Sequence, residues 1–207
     1  EVDMPQQAGR THIFIPDTQH GPGRLTNHLA WIGTYIVEQF AGQECVIVHA
    51  GDHADMKSLS SYDRGKKAAE GRRYVDDIDS ANAGWDVLNA PIEEHNRGRR
   101  NKWKPERHIT LGNHEDRITR AANDDARIEG AVSLDHLNYA AHGWTVHPYL
   151  APVEIDGVTY AHYFYNPMSG RPYSGASIEA RIKTIGTSFS MGHQQTLQYG
   201  LRFLPDG

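Results

Sequence analysis

Short apolar runs closed by turn residues alternate with helically spaced stretches through the first part of the chain, and paired short alternating runs follow. Thr11-His12-Ile13-Phe14-Ile15 is an apolar run stopped at Pro16, and Glu44 to Ala50 is a second one. Between them, within Leu25 to Phe40, residues Leu29, Ile32, Ile36 and Phe40 recur at three- and four-residue steps, which predicts a helix with one stripe against a sheet. This is a β-α-β unit. Tyr62 to Arg97 is polar and carries Tyr74, Ile78, Trp85, Leu88 and Ile92 at loosely helical spacing, so one or two long surface helices are expected there. His108-Ile109-Thr110-Leu111 reads as a third strand running into Gly112-Asn113-His114-Glu115, with helical segments to about Asn138.

The later part changes period. Trp144-Thr145-Val146 and Val153-Glu154-Ile155 alternate, and Asp156-Gly157 then makes a turn before Val158 to Tyr163, a β-hairpin pattern. Asn166 to Gly175 has loop composition, a helix is expected from Ala176 to about Thr184, and a strand begins near Ser188. Leu197 to Phe203 also reads as a strand. The order implies an α/β (α+β) fold, two packed mixed β-sheets forming a sandwich flanked by helices, with active residues where strands end.

A chain of 207 residues with 38% hydrophobic residues and a formal net charge of -5 suits one domain spanning residues 1–207 with a real core. The single cysteine, Cys45, lies in an apolar run, so it forms no intrachain disulfide and reads as a buried thiol. No apolar stretch reaches the ~20 residues of a membrane span, and Glu1 to Arg10 lacks the order of a signal peptide. A cytoplasmic location and no membrane partner are the expectation. The missing initiator methionine leaves open what precedes Glu1, and Asp206-Gly207, a hairpin turn without a return strand, leaves open a continuation past Gly207.

The strand ends carry the chemistry. Asp17 with Gln19, Asp52 with Asp55, Asn113 with His114, His162, and His193 with Gln195 each follow an apolar run or a glycine. Carboxylate, imidazole and amide oxygen suit divalent cations, and two cations ~3.5–4 Å apart clamp both ends of a phosphoryl displacement. Glycines at 51, 112 and 192 permit tight turns that bring the next side chain inward.

Asp17-Thr18-Gln19, Gly51-Asp52-His53-Ala54-Asp55, Gly112-Asn113-His114-Glu115, His162 and Gly192-His193-Gln194-Gln195 together resemble, in order and spacing, the calcineurin-like metallophosphoesterase superfamily. That family's pattern is D-x-H, G-D-x-x-D, G-N-H-E/D, a lone H and G-H-x-H. The resemblance implies that Asp52 bridges two metals, that Asn113, His162 and His193 complete one site, and that Asp17 with Gln19 and Gln195 completes the other. Both positions in this second site where histidine is usual hold glutamine. An amide oxygen is a harder and weaker ligand than imidazole, so this site is expected to bind more weakly, with Mn²⁺ favoured and Mg²⁺, Ca²⁺, Zn²⁺ or Fe as alternatives. The Gly112 to Arg117 stretch and Ser58-Leu59-Ser60-Ser61-Tyr62 look similar to phage-encoded members, which would place the protein in a host cytoplasm.

The implied activity is hydrolysis of phosphate esters by a metal-bridging hydroxide, phosphodiesters over monoesters, with Asn113 and His114 touching substrate. His114 is the expected acid toward the leaving oxygen and Asp55 its orienting partner. A phosphomonoesterase, including one acting on phosphoprotein, and a catalytically weak metal-binding protein are the alternatives. His20, His53 and Arg171 are candidate substrate contacts, each beside a motif or in the loop after His162. Glu115 reads as support for the next helix. His12, His28, His49, His95, His108, His136, His142 and His147 read as ordinary side chains outside the site. Arg97 to Lys104 places five basic residues around Trp103, either a nucleic-acid contact with a stacked base or a solvated loop. No oligomeric state follows from the sequence.

Overall fold

Five residues suffice for the central strand because both of its faces are covered. β2 (Cys45–His49) is buried at every position, the mark of a strand inside a parallel sheet. It lies between β1 (Thr11–Ile15) and β3 (Glu106–Thr110), with β4 (Thr145–His147) beyond, in the order β1-β2-β3-β4. All three pairings are parallel, with Ile13 opposite Ile47 and Val48 opposite His108. The computed structural model describes residues 9–166, 168–173 and 177–203.

The period of two along β1 and β2 sorts side chains between two cores. Ile13, Ile15, Cys45 and Ile47 face a helical layer, where they join Leu29, Ile36, Trp85, Leu88 and Ile109. Phe14, Val46 and Val48 point the other way and pack on Ile155 and Tyr160 of a second sheet. The helical layer is α1 (Asn27–Phe40) against α2 (Tyr74–Asn96). The second sheet joins β5 (Val153–Ile155) and β6 (Val158–Ala161) as an antiparallel hairpin, with β7 (Phe189–Met191) parallel to β6. Asp156 and Gly157 turn the hairpin with φ of 50° and 80°, the paired positive values of a type I′ turn. α3 (Asp116–Asp124) follows β3, and α4 (Ile178–Ile185) precedes β7.

The α/β class with two packed sheets agrees with the sequence reading, but the larger sheet is wholly parallel and only the smaller is mixed. Tyr62 to Arg97 holds one long helix, not two. It is a surface helix as expected, with Ile78, Ala81, Trp85, Leu88 and Ile92 buried as the stripe that closes the core over the sheet and Asp76, Asp79, Asp86 and Glu93 exposed on the other face. Past α3 the expected helical run to Asn138 reduces to isolated short turns at Leu134–His136 and Ala140–His142. The expected strand from Leu197 to Phe203 does not form within the described residues. Its alternation finds no partner strand, so Leu197, Tyr199, Leu201 and Phe203 stay exposed. The expected helix start at Ala176 and the Asp206-Gly207 turn lie outside the described residues. Among the described residues no helix is long and apolar enough to cross a membrane.

Candidate metal centre

Parallel strands all deliver their chain to the same edge, so the loops after β1, β2 and β3 meet there. Two of them zip together: the Gln19 N–H donates to the Asp52 carbonyl at 2.8 Å and the Asp55 N–H to the His20 carbonyl at 2.9 Å. Gly51 turns sharply at φ 87°, and a Cβ there would lie 2.2 Å from the Thr110 carbonyl oxygen. A Cβ on Gly112 would strike Asp52 Oδ1 at 2.1 Å. These two glycines allow the loops after β2 and β3 to touch. Asp52 itself takes φ 49°, a left-handed backbone that Asp tolerates better than most residues.

One buried carboxylate holds this junction. Glu115 is fully buried and accepts backbone N–H groups from Asp52 (2.9 Å), His53 (2.8 Å), Ala54 (3.0 Å) and Gly112 (2.9 Å), and the Tyr139 hydroxyl at 3.1 Å. The sequence reading gave Glu115 to the following helix; its side chain instead fastens both ligand loops. Burial, and then the Glu115 charge, push the Tyr139 phenol well above its ordinary value, so it stays a donor. The only signal in the sequence was an acidic residue straight after His114, which does not reveal four amides meeting it.

Four predicted ligands converge. His162 Nδ1 donates to the Ala50 carbonyl at 2.8 Å, which in the neutral ring leaves Nε2 with a bare lone pair. That Nε2 lies 3.0 Å from Asn113 Oδ1, 3.2 Å from His193 Nδ1 and 3.4 Å from Asp52 Oδ2. Atoms of Asp52, His162 and His193 all fall within 4.8 Å of one another. All three contacts share His162 Nε2, an atom with one lone pair or one proton to offer. A cation satisfies all of them, so the residues fit a metal ion. Burial, then the Glu115 carboxylate, raise the Asp52 carboxyl to about 8. Burial and His162 pull the His193 imidazole below its ordinary value, which keeps a nitrogen lone pair available.

The second predicted set is looser. Asp17 is held from behind, both carboxylate oxygens 3.0 Å from the His193 N–H, and Oδ1 lies 3.8 Å from His162 Nδ1. A Cβ on Gly192 would meet Asp17 Oδ1 at 2.3 Å, so that glycine lets the loop approach. Gln19, Asp17 and Gln195 line one end of a shared groove, with Gln195 exposed. Among the described residues no three-residue His/Asp/Glu cluster includes Asp17.

His114 stands beside the convergence. Its backbone N–H donates to Asp52 Oδ1 at 2.8 Å, its Nδ1 is 3.1 Å from Asp55 Oδ1, and its Nε2 is 3.8 Å from Asp52 Oδ2. Asp55 thus sits where an orienting partner belongs. Burial pushes the Asp55 carboxyl up, but His114 and Lys57 more than offset it and hold it below its ordinary value. Arg24 and Lys57 each lie 3.2 Å from Asp55 Oδ2, and Arg117 donates to the Asp55 carbonyl at 2.9 Å. The sequence reading did not identify these three cations.

Other expectations need correction. His53 is buried, its Nδ1 2.7 Å from Thr18 Oγ1 and its Nε2 3.0 Å from the Ala81 carbonyl, so it has no nitrogen to offer a substrate. The Gly51 N–H donates to His49 Nδ1 at 3.1 Å and His49 Nε2 reaches Thr18 Oγ1 at 3.2 Å. His49, set aside as ordinary, thereby braces the turn under the centre. Burial lowers both rings, His53 to about 4 and His49 well below its usual range, so this relay carries neutral imidazoles. His20 is likewise 2% exposed, too deep for substrate contact. Arg171 is exposed in its loop, and its guanidinium makes no hydrogen bond or ion pair among the described residues. Trp103 is 8% exposed and donates its indole N–H to the Gln43 carbonyl at 2.8 Å. It is a core residue, so the Arg97 to Lys104 segment presents no stacking platform.

No family model, curated protein or solved structure matches this chain.

Proposed function

We propose that this chain is a metallophosphoesterase of the calcineurin-like kind, hydrolysing phosphate esters with phosphodiesters favoured. The observation that carries the reading is the meeting of lone pairs from Asp52, Asn113, His162 and His193 beside a histidine backed by a carboxylate. In this reading those four side chains hold one divalent cation, and Asp17, Gln19 and Gln195 share Asp52 to hold another, Mn²⁺ being favoured by the oxygen-rich donors. The chemistry supplied there by divalent cations, when bound, is neutralisation of phosphoryl charge and activation of a water for in-line attack.

The chain's own residues do the rest. Asn113 and His114 touch the phosphoryl group, and His114 delivers a proton from Nε2 to the departing oxygen while Asp55 at Nδ1 supports the cationic ring. Arg24 and Lys57 keep Asp55 ionised for that task. A second reading, a catalytically weak metal-binding protein, is favoured by the absence of any imidazole from the Asp17 set.

Metal content and turnover of bis-p-nitrophenyl phosphate, after chelation and Mn²⁺ add-back, separate the two readings, and the mono-ester sets diester against monoester preference. His114→Ala is expected to lower turnover by about 10²- to 10⁴-fold with metal content nearly unchanged. Two bound cations with no turnover on either ester would sink the enzyme reading.

A further inference from the structure

A groove of about 1180 Å³ runs from the Asp17, Gln19 and Gln195 edge of the centre along β7 and α4, walled on its far side by the extended segment 194–202. It exceeds the ~300–1,000 Å³ of pockets that take a single small ligand. Its charge opposes that of the whole chain. The chain carries a net charge of -5, yet Arg24, Arg181 and Arg202 line the groove and, among the described residues, Asp17 is the sole acid there.

Arg181 is the sharpest of these features. It is 4% exposed, and its guanidinium reaches neutral acceptors, the Tyr173 carbonyl at 3.1 Å and Gln198 Oε1 at 2.9 Å. Among the described residues no carboxylate comes within ion-pair distance of it. Burying a cation without a counter-charge is costly, and a phosphate supplies that charge in a geometry suited to the guanidinium fork. Arg24 adds a half-exposed cation elsewhere on the lining, there already paired with Asp55 at 3.2 Å. Cations that recur from the centre toward α4 match an anion that recurs along a polymer.

The walls between the cations carry Phe189 and Tyr199, the latter 76% exposed, and the side-chain amides of Gln194 and Gln198. Aromatic faces stack bases, and amides pair with base edges. An acyl chain would strand the guanidinium groups and amides. A phosphopeptide does not repeat a flat ring and a charge in every unit. We propose that this groove is the channel for a short single strand of nucleic acid, whose phosphodiester is presented to the centre. Its role as a substrate channel rests on the esterase reading, while its binding does not.

The test uses the full chain in EDTA, so that the probe is not consumed, and fluorescence anisotropy of labelled hexathymidylate. Binding is expected, with log Kd rising about 2 per decade of salt, from roughly 0.7 per phosphate paired by three arginines. Arg202→Glu and Tyr199→Ala, both on the exposed segment, should each weaken it about tenfold or more, while Arg100→Glu on the remote basic loop leaves it within about twofold. No binding, binding indifferent to Arg202→Glu and Tyr199→Ala, or displacement by a phosphoserine peptide as effective as by unlabelled hexathymidylate overturns the channel. Turnover of bis-p-nitrophenyl phosphate with Mn²⁺ but no hexathymidylate binding removes the channel and leaves the esterase. Binding without turnover removes the esterase, and with it the substrate role.

Discussion

The Asp52 side and the Asp17 side of the centre share the loop after β7 yet are prepared to different degrees. On the first, His162 and His193 bring ring nitrogens to 3.2 Å from each other and Asn113 adds its oxygen at 3.0 Å from His162 Nε2. On the second, Asp17 is already engaged by the His193 N–H, and the glutamines at 19 and 195 only line the groove. The difference is one of anchoring. His162 is fixed through its second nitrogen to a backbone carbonyl, as a preorganised ligand must be, whereas Gln195 is exposed and has more freedom to lose on binding. On the proposed reading, the site organised in advance binds its cation tightly, while the one that must order two glutamines binds weakly or with a substrate phosphate.

The largest expected effect breaks both sides at once. Asp52→Asn keeps the shape and tolerates φ 49°, but removes the shared charge, so turnover should fall at least about a hundredfold and cation binding with it. Stability should move the other way. The Asp52 carboxyl titrates at about 8 when folded and at about 4 when unfolded, so between those values the folded chain holds a proton that the unfolded chain has lost. Metal-free stability therefore falls as pH rises from about 4 to about 8. Thermal melts in EDTA should show the wild type declining over that window and the variant declining less, with the variant more stable at pH 8. Equal slopes would mean that Asp52 is not a protonated acid in the metal-free fold.

A smaller effect strikes only the support. Glu115→Gln turns an amide group toward backbone N–H donors, which should cost about 2–3 kcal/mol in urea unfolding and about 10- to 100-fold in cation affinity. Affinity loss without stability loss would contradict its role as the fastener of both loops. The smallest effect sharpens the contrast between the halves: Gln19→His with Gln195→His should raise affinity for the second cation about tenfold in a calorimetric titration and leave the first within a few-fold. If both affinities rise together, the two sites are not separable as described.

The strands and their ligand loops were legible because short apolar runs closed by glycine are local signals, and each motif residue lies within a few positions of its strand. The hairpin turn at Asp156-Gly157 was legible for the same reason. Glu115 was not, since its five donors come from Asp52, His53, Ala54, Gly112 and Tyr139, brought together only by parallel pairing. Trp103 misled in the opposite sense. Basic neighbours made it look like a solvent-facing ring, but those neighbours turn outward while the indole fills the edge of the helical core. His20 and His53 looked available because they adjoin motif residues, yet α2 covers them, and a helix that packs over a loop leaves no mark in the loop's own sequence.

By itself the sequence determined the residue types, their order and the strand ends that carry them, because apolar period and turn chemistry act over a few residues. It also determined that the second cation set lacks imidazole. Tertiary structure alone decided that Asp52, Asn113, His162 and His193 meet, that Glu115 ties the loops after β2 and β3, and that a cationic groove opens at the Asp17 edge. Those facts depend on chain segments far apart in sequence, joined by sheet register and burial, and no local pattern encodes such distances.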